Sequence, residues 1–331
     1  MKLCLNMSFS RIIFPVLVAM IMSVSVQAET TDSAKYQAWQ AELRTEALEK
    51  GIRAEIFDAA FGRVALSGRV IELDRKQPEF TLTLDEYLTR VISNTRIKNA
   101  KKKIVEHADI LDEVSKTYGV QKRYIVALWG IETNFGSHTG GFEVISALAT
   151  LAYDGRRSAY FRKELLSALQ ILNEGHISVE NMKGSWAGAM GQSQFMPSSF
   201  ISYAEDYNKD GRRDIWTTRE DVFASIANYL SSVGWRDDIT WGREVIVPAS
   251  VDGAALSKAK TQKTMAQWKA LGLTSLGGEP LPERNLSSRL VVPADGGGRA
   301  FLAYSNYDNI LKWNRSNYFA IAVGTLSDTL R

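Results

Sequence analysis

The chain has 331 residues, a formal net charge of +3, 45% hydrophobic residues and a single cysteine. That length supports one large domain or two smaller ones with a real core. The charge is too small and too dispersed for a nucleic-acid surface, and one cysteine excludes a disulfide framework or a zinc–thiolate cluster.

At the start of the chain, Lys2 and Arg11 precede an apolar run from Ile12 to Val26, and Val26-Gln27-Ala28 offers small or modest side chains at a cleavage point. This layout predicts a secretory signal over residues 1–28, too short for a comfortable membrane span. An uncleaved anchor is the alternative, and the polar Glu29-Thr30-Thr31 that follows argues against it. Cys4 lies ahead of the apolar run, so the mature chain is expected to carry no lipid anchor, no cysteine and no membrane span.

From Ser33 to Tyr118 the pattern is helical. Trp39, Leu43 and Ala47 share one stripe that Gly51 would end, and Ile56, Ala60 and Phe61 form another that stops at Gly62. A looser passage holds Pro78 and the alternating Phe80-Thr81-Leu82-Thr83-Leu84. Leu88, Val91 and Ile92, then Ile104, Ala108, Leu111 and Val114, resume the helical spacing as far as Gly119. Lys101-Lys102-Lys103 falls on the solvated side of that run.

A short apolar helix is predicted over Gln121–Thr133, two more between Val144 and Asn173, and another over Asp221–Val233, closed by Gly234. The texture changes near Arg243. Val245-Ile246-Val247, Leu290-Val291-Val292 and Ala300-Phe301-Leu302-Ala303 read as short strands, with one helix over Thr264–Leu271 among them. Gly277, Gly278 and Gly296–Gly298 mark turns, and Asn309–Leu330 is helical again. The prediction is a mainly α (α+β) protein: an N-terminal helical lobe over 29–118, a helical core over 119–242, a small α/β insertion over 243–304, and C-terminal helices over 305–331 that return to the core.

Glu132 is the sharpest local anomaly. On the helix ending Trp129-Gly130-Ile131-Glu132, positions 125, 128, 129 and 132 share a face, and the first three are apolar. A carboxylate on a buried stripe needs a partner, and desolvation would keep it protonated near neutral pH, as a general acid requires. The alternative is a structural glutamate paired with Arg156 or Arg157, or capping the loop Thr133-Asn134-Phe135-Gly136.

Two further segments stand out. Gly184 to Ser198 combines small residues with Ser185, Gln192 and Gln194, uncharged hydrogen-bonding groups, and with Trp186 and Phe195 as faces for a sugar ring. Tight helix packing around glycine and alanine is the competing explanation. In Asp206-Tyr207-Asn208-Lys209-Asp210-Gly211-Arg212-Arg213-Asp214, oxygen donors at positions one, three and five with glycine at six follow the EF-hand pattern, Arg212 offering its carbonyl at seven. Arg213 stands where that pattern has an apolar residue, and Thr217 where it has a bidentate glutamate. Asp214, Glu220 and Asp221 are the candidate replacements, and a plain Asx-rich turn is the alternative. The chain has only three histidines, none in a metal-ligand spacing, and no nucleophile elbow or phosphate loop appears.

Trp129-Gly130-Ile131-Glu132-Thr133-Asn134-Phe135-Gly136, Tyr153-Asp154-Gly155-Arg156-Arg157, the Gly184–Ser198 segment, Ile226-Ala227-Asn228-Tyr229-Leu230 and Trp313-Asn314-Arg315-Ser316-Asn317-Tyr318 together resemble the lytic murein transglycosylase B family (glycoside hydrolase family 103), in order and over essentially the whole mature chain. The resemblance implies a lysozyme-like helical core and cleavage of the MurNAc-β-1,4-GlcNAc bond of peptidoglycan, leaving 1,6-anhydro-MurNAc ends. It implies Glu132 as the one catalytic acid and base, with the substrate's N-acetyl oxygen in place of a second carboxylate. Ser185, Gln194, Asn228 and Tyr229 would line the glycan groove, and Trp313 and Tyr318 belong to the same pattern, although Trp313 stands where the family pattern has tyrosine. The Asp206 loop would be the family's shortened calcium loop, a structural site not required for the chemistry. Glu143, the nearest other carboxylate, is expected to be structural. The expected setting is the periplasm of a Gram-negative bacterium, the expected state a monomer, and the expected partner the glycan strand. A muramidase that transfers the sugar to water, or a binding protein without turnover, are the rival readings.

Overall fold

A computed structural model describes residues 21–76 and 82–331. The expected signal lies mostly outside the described residues, as does Phe80-Thr81 of the alternating passage. Chain contacts separate a first unit ending at Ala54 from a second running from Glu55 to Arg331. In the first unit the backbone is a single helix, α1 (Ile21–Glu49), and Gly51 follows it at φ +81°. Among the described residues no helix is long and apolar enough to cross a membrane.

The second unit is mostly helical. All but the first residue of α2 (Ala54–Phe61) falls in it, with α3 (Gly68–Lys76), α4 (Leu84–Val91), α5 (Asn94–Glu106) and α6 (Ala108–Tyr118) following. Leu84 therefore opens a helix instead of ending an extended segment. Thr83 caps α4 and Glu86 reaches back to the Thr83 N–H, a reciprocal capping box that satisfies two otherwise orphaned donors.

At the centre is α7 (Lys122–Thr133). Tyr124 through Trp129 are fully buried on every side, which is what an uninterrupted apolar run predicts for a helix surrounded by others. The helices α8 (Val144–Asp154) and α9 (Ser158–Asn173) pack as a hairpin, and α10 (Pro197–Tyr203) and α11 (Arg219–Ser232) follow. Between α7 and α8 the strand β1 (Phe142–Glu143) pairs antiparallel with β2 (Lys183–Gly184), Phe142 opposite Gly184.

The sheet is built from residues 242–303. β3 (Gly242–Ile246), β4 (Gln262–Thr264), β5 (Thr274–Ser275), β6 (Ser287–Val291) and β7 (Ala300–Ala303) lie in the order β4-β6-β7-β3-β5, all antiparallel. The short strands β4 and β5 and the helix α12 (Gly253–Lys258) carry too few apolar residues to show in a periodicity reading. A separate small core forms around Trp268 of α13 (Met265–Ala270), with Leu273, Leu290 and Leu302. The C-terminal helical segment is two helices, α14 (Ser305–Trp313) and α15 (Asn317–Asp328), and α15 packs back on α7. The break between them falls at Asn314-Arg315-Ser316, where the Ser316 hydroxyl accepts from the Phe319 N–H and starts the second helix.

Candidate active site

Glu132 sits in the last turn of α7, one residue before its end, and is half-buried where the helical pattern predicted a buried position. The reason is the abrupt end of the helix. Asn134 and Phe135 are both left-handed, at φ 49° and 61°, and Gly136 follows at φ +82°. Two successive non-glycine residues in this region are sterically costly, and such strain persists only where the surroundings enforce it. Here the Asn134 and Phe135 N–H groups donate to the Gly130 and Trp129 carbonyls, and the Phe135 ring lies edge-on to Trp129. The turn brings the chain off the helix beside Glu132 and opens its side to solvent.

Trp313 is one partner of Glu132. Its indole Nε1–H donates to Glu132 Oε1 at 2.7 Å. Trp313 is the last residue of α14, and that end is anchored by Lys312, whose ammonium donates to the Val233 carbonyl. The indole is held edge-on by Tyr229, with ring centroids 4.7 Å apart, and tilted against Phe195 at 5.1 Å. Tyr203 meets Tyr229 at 4.6 Å. Arg156 and Arg157, the partners that the alternative, structural reading of Glu132 offered, both bind the buried Asp74. Glu143, at half exposure, pairs with Arg63 at 3.5 Å.

The Gly184–Ser198 segment wraps the Glu132 turn through polar contacts. Thr133 Oγ1 donates to the Gln192 carbonyl at 3.0 Å and accepts from the Gly136 N–H at 3.0 Å. Gln194, at φ 50°, donates from Nε2 to the Thr139 and Gly191 carbonyls. Ser185 accepts from the Ala187 and Ala189 N–H groups and so shapes its own turn.

Gln192 must be taken out of the groove. It is 3% exposed, with Oε1 accepting from Trp129 Nε1 and Nε2 donating to the Trp216 carbonyl. Its burial and the engagement of both amide ends inside the core place Gln192 behind the surface that a sugar could reach. Phe195 likewise is buried and supports Trp313, so it presents no face to a glycan.

Asn228 lies beside Tyr229 on α11, but its amide donates to Glu205 Oε1 at 2.7 Å and to the Tyr203 carbonyl at 3.0 Å. Burial pushes the Glu205 carboxyl up from its ordinary value, with the Tyr118 hydroxyl bond opposing the shift. Glu205, Tyr203 and Thr133 were not visible from periodicity, because their roles are contacts between segments. Tyr318, in the first turn of α15, stands against Tyr87 at 5.7 Å. It lines a cavity of about 450 Å³ with Leu82, Asp295, Asn314 and Arg315.

In the Asp206 loop, Asp206 accepts from the Asp210 and Gly211 N–H groups, Asn208 from Asp210 and Asp210 from Arg212. The Asp214 carboxylate is engaged by the residues that follow it. It accepts from the Trp216 and Thr217 N–H groups and from the Thr217 and Thr218 hydroxyls, which removes it from the expected ligand set. Asp221 folds back instead. Fully buried, it accepts from the Tyr207, Asn208 and Asp214 N–H groups. Burial pushes its carboxyl up, as does the negative charge of Asp206. Arg213, which departs from the loop pattern, is engaged elsewhere, with Glu174 at 2.6 Å and over the Phe200 ring. Among the described residues no group of three or more acidic, histidine or cysteine side chains converges on one point. The donors around the loop are all oxygens, and two like-charged carboxylates in proximity are what a divalent cation would relieve.

A family model described as the transglycosylase SLT domain matches residues 35–328. The membrane-bound lytic murein transglycosylase B of Escherichia coli (strain K12) is 32% identical over 246 residues, 74% of this chain and 66% of that protein, so the match takes in just under two thirds of the relative. Among solved structures, SltB3 from Pseudomonas aeruginosa in complex with NAG-NAM-pentapeptide superposes with a TM-score of 0.85 at 42% identity, covering 89% of this chain and 79% of that one. The same protein in complex with NAG-anhNAM-pentapeptide matches equally. The Escherichia coli lytic transglycosylase Slt35 in complex with calcium matches with a TM-score of 0.74 at 27% identity, covering 88% and 92%.

Proposed function

The chain belongs to the transglycosylase SLT domain family, and on that premise we propose that it is a lytic transglycosylase that cleaves the MurNAc-β-1,4-GlcNAc bond of peptidoglycan and leaves 1,6-anhydro-MurNAc ends. The observation that carries this reading is Glu132 itself. It is a half-buried carboxyl at a strained helix end, held by the Trp313 N–H beside a wall of aromatic rings. The relative SltB3, with its NAG-NAM-pentapeptide and NAG-anhNAM-pentapeptide complexes, supports both the substrate and the anhydro product.

Glu132 protonates the glycosidic oxygen as the C1–O4 bond breaks, and the GlcNAc end leaves as an alcohol. The N-acetyl oxygen of MurNAc takes the anomeric carbon, which replaces the second carboxylate of ordinary glycosidases. Glu132, now ionised, accepts the proton of the C6 hydroxyl as O6 closes on C1 and the N-acetyl oxygen departs. No water enters. Ser185, Gln194, Tyr229 and Trp313 line the groove; Asn228 acts there while fixed by Glu205, and Tyr318 extends the contact surface into the neighbouring cavity.

The same reading includes a structural Ca²⁺ held by Asp206, Asn208, Asp210 and the Arg212 carbonyl. The calcium complex of Slt35 supports the assignment, and Asp221, with its oxygens on the Tyr207, Asn208 and Asp214 N–H groups, braces the loop. The ion would cross-link the loop that leads into α11. The setting is the periplasm, reached after removal of residues 1–28, with the mature chain acting as a monomer on glycan strands.

The test is mass spectrometry of muropeptides released from purified sacculi, with Glu132→Gln in parallel. Products lighter by one water than hydrolysed muropeptides, absent with the variant, are expected. Hydrated reducing ends would make the protein a muramidase, and no release by either protein would leave a binding module.

A further inference from the structure

Near the end of α7 opposite Glu132, a cavity of about 390 Å³ is lined by Arg123, Arg243, Arg284 and Arg331 together with Asp237 and Asp238. Arg123 lies in the first turn of α7, so about 14 Å of helical rise separates it from Glu132. The cavity holds more positive charge than it neutralises. Asp328 takes both Arg123 and Arg331, at 3.1 and 2.7 Å, and Asp238 is held by Arg236 at 2.6 Å. With Asp237 the only carboxylate left for Arg243 and Arg284, five guanidiniums meet three carboxylates. Arg243 is partly buried on β3, and its Nε–H donates to the Tyr304 hydroxyl at 2.7 Å, a neutral group that is itself buried. The neighbouring Glu244 is taken by Arg299. Among the described residues the terminal amino groups of Arg243 have no acceptor and no ion-pair partner. A guanidinium held on a neutral partner is stabilised by an external anion, and its planar fork fits a carboxylate at two points. Asp237 is exposed and gives its backbone carbonyl to Gln121, while its carboxylate makes no hydrogen bond among the described residues. A second cavity of about 360 Å³ shares Arg243 and Arg331 and adds Leu276, 60% exposed, as an apolar surface.

We propose that this cavity is a docking site, separate from the glycan groove, for a short peptide that carries several carboxylates and a free amine. The carboxylates go to Arg243 and Arg284, the ammonium goes to Asp237, and small apolar side chains reach Leu276. The mixed charge selects this class of ligand. Inorganic phosphate would gain from the arginines and be repelled by Asp237 and Asp238, whereas a zwitterionic peptide uses both signs. Within the peptidoglycan reading above, on which the choice of occupant rests, this is the chemistry of the stem peptide. The wall is then held by its peptide near one end of α7 and cut in its glycan at the other.

The test is calorimetric titration with the sugar-free tripeptide L-Ala-γ-D-Glu-meso-diaminopimelate. Wild type and Glu132→Gln should bind it equally, and Arg243→Gln and Arg284→Ala about tenfold more weakly each. Arg243→Gln keeps a donor for the Tyr304 hydroxyl and Arg284 is exposed, so unchanged thermal midpoints are expected for both. Acetylating the free amine of the peptide, or Asp237→Asn, should weaken binding about threefold. No binding by the wild type, or equal binding by both arginine variants, would overturn the proposal. Displacement of the peptide by inorganic phosphate at equal concentration would overturn it in favour of a general anion site. Tighter binding of an N-acetylated peptide of L-aspartate and L-glutamate would overturn it in favour of an acidic segment of another protein. If the tripeptide binds as expected and the wild type releases no muropeptides from sacculi, the catalytic reading falls and the docking site stands. Release of muropeptides with unchanged binding by the arginine variants gives the reverse.

Discussion

Trp129 donates its indole N–H to Gln192 Oε1 at 2.8 Å, inside the core and one helical turn before Glu132. Gln192 Nε2 continues the link to the Trp216 carbonyl, so one amide joins α7, the Gly184–Ser198 segment and the stretch that follows the Asp206 loop. The support of the Glu132 turn is thus a buried polar chain, and such chains stabilise only while every member is satisfied.

Replacing Gln192 by alanine should leave the Trp129 N–H and the Trp216 carbonyl buried without partners, at a cost of about 3 kcal/mol in stability. Urea unfolding measures the loss, and glycan affinity of the folded fraction should stay near that of the wild type. A large fall in affinity at unchanged stability would return Gln192 to the groove. Gly136→Ala tests the same contact from the other side. An added Cβ would stand 2.3 Å from Gln192 Oε1 at φ +82°, and a destabilisation of about 2 kcal/mol is expected.

Asp74 links α3 to the segment before α9 through Arg156 and Arg157, and the bond from Arg156 is the main reason its carboxyl is held below the ordinary aspartate range. A group depressed in the folded state contributes stability above its unfolded value of about 3.9 and loses it as the pH falls through the folded value. Asp74→Asn should therefore cost about 2 kcal/mol at neutral pH, less than a fully enclosed pair because both arginines are partly exposed. The gap between variant and wild type should close below about pH 4. Denaturant midpoints from pH 7 to pH 3 measure it, and a gap independent of pH would show that the charge is not what matters.

Calcium should raise the thermal midpoint by a few degrees over the same protein in a chelator, by mass action on the folded state. Asp206→Asn should abolish that difference. Equal midpoints with calcium and chelator would mean that the Asp206 loop is closed by its hydrogen bonds alone, with Asp221 accepting from Tyr207, Asn208 and Asp214.

By itself the sequence determined what depends on neighbours along the chain. The apolar run of α7, the glycine after α1, the three main strands of the sheet, the unusual place of Glu132 and the alternating donors of the Asp206 loop are all written in spacings of one to four residues, the range over which helix and strand geometry act. Tertiary structure decided what each side chain meets. Gln192 and Gln194 are two residues apart and alike in type. One is sealed in the core by Trp129 and Trp216, and the other bonds the Thr139 and Gly191 carbonyls beside the groove. Asp214 and Asp221 were interchangeable as loop acids until packing turned one toward Thr217 and buried the other in the loop. Trp313 lies 181 positions from Glu132, and their bond exists because α14 ends where α7 ends. No local pattern encodes that meeting, since it is fixed by the packing of whole helices and not by the spacing of residues within them.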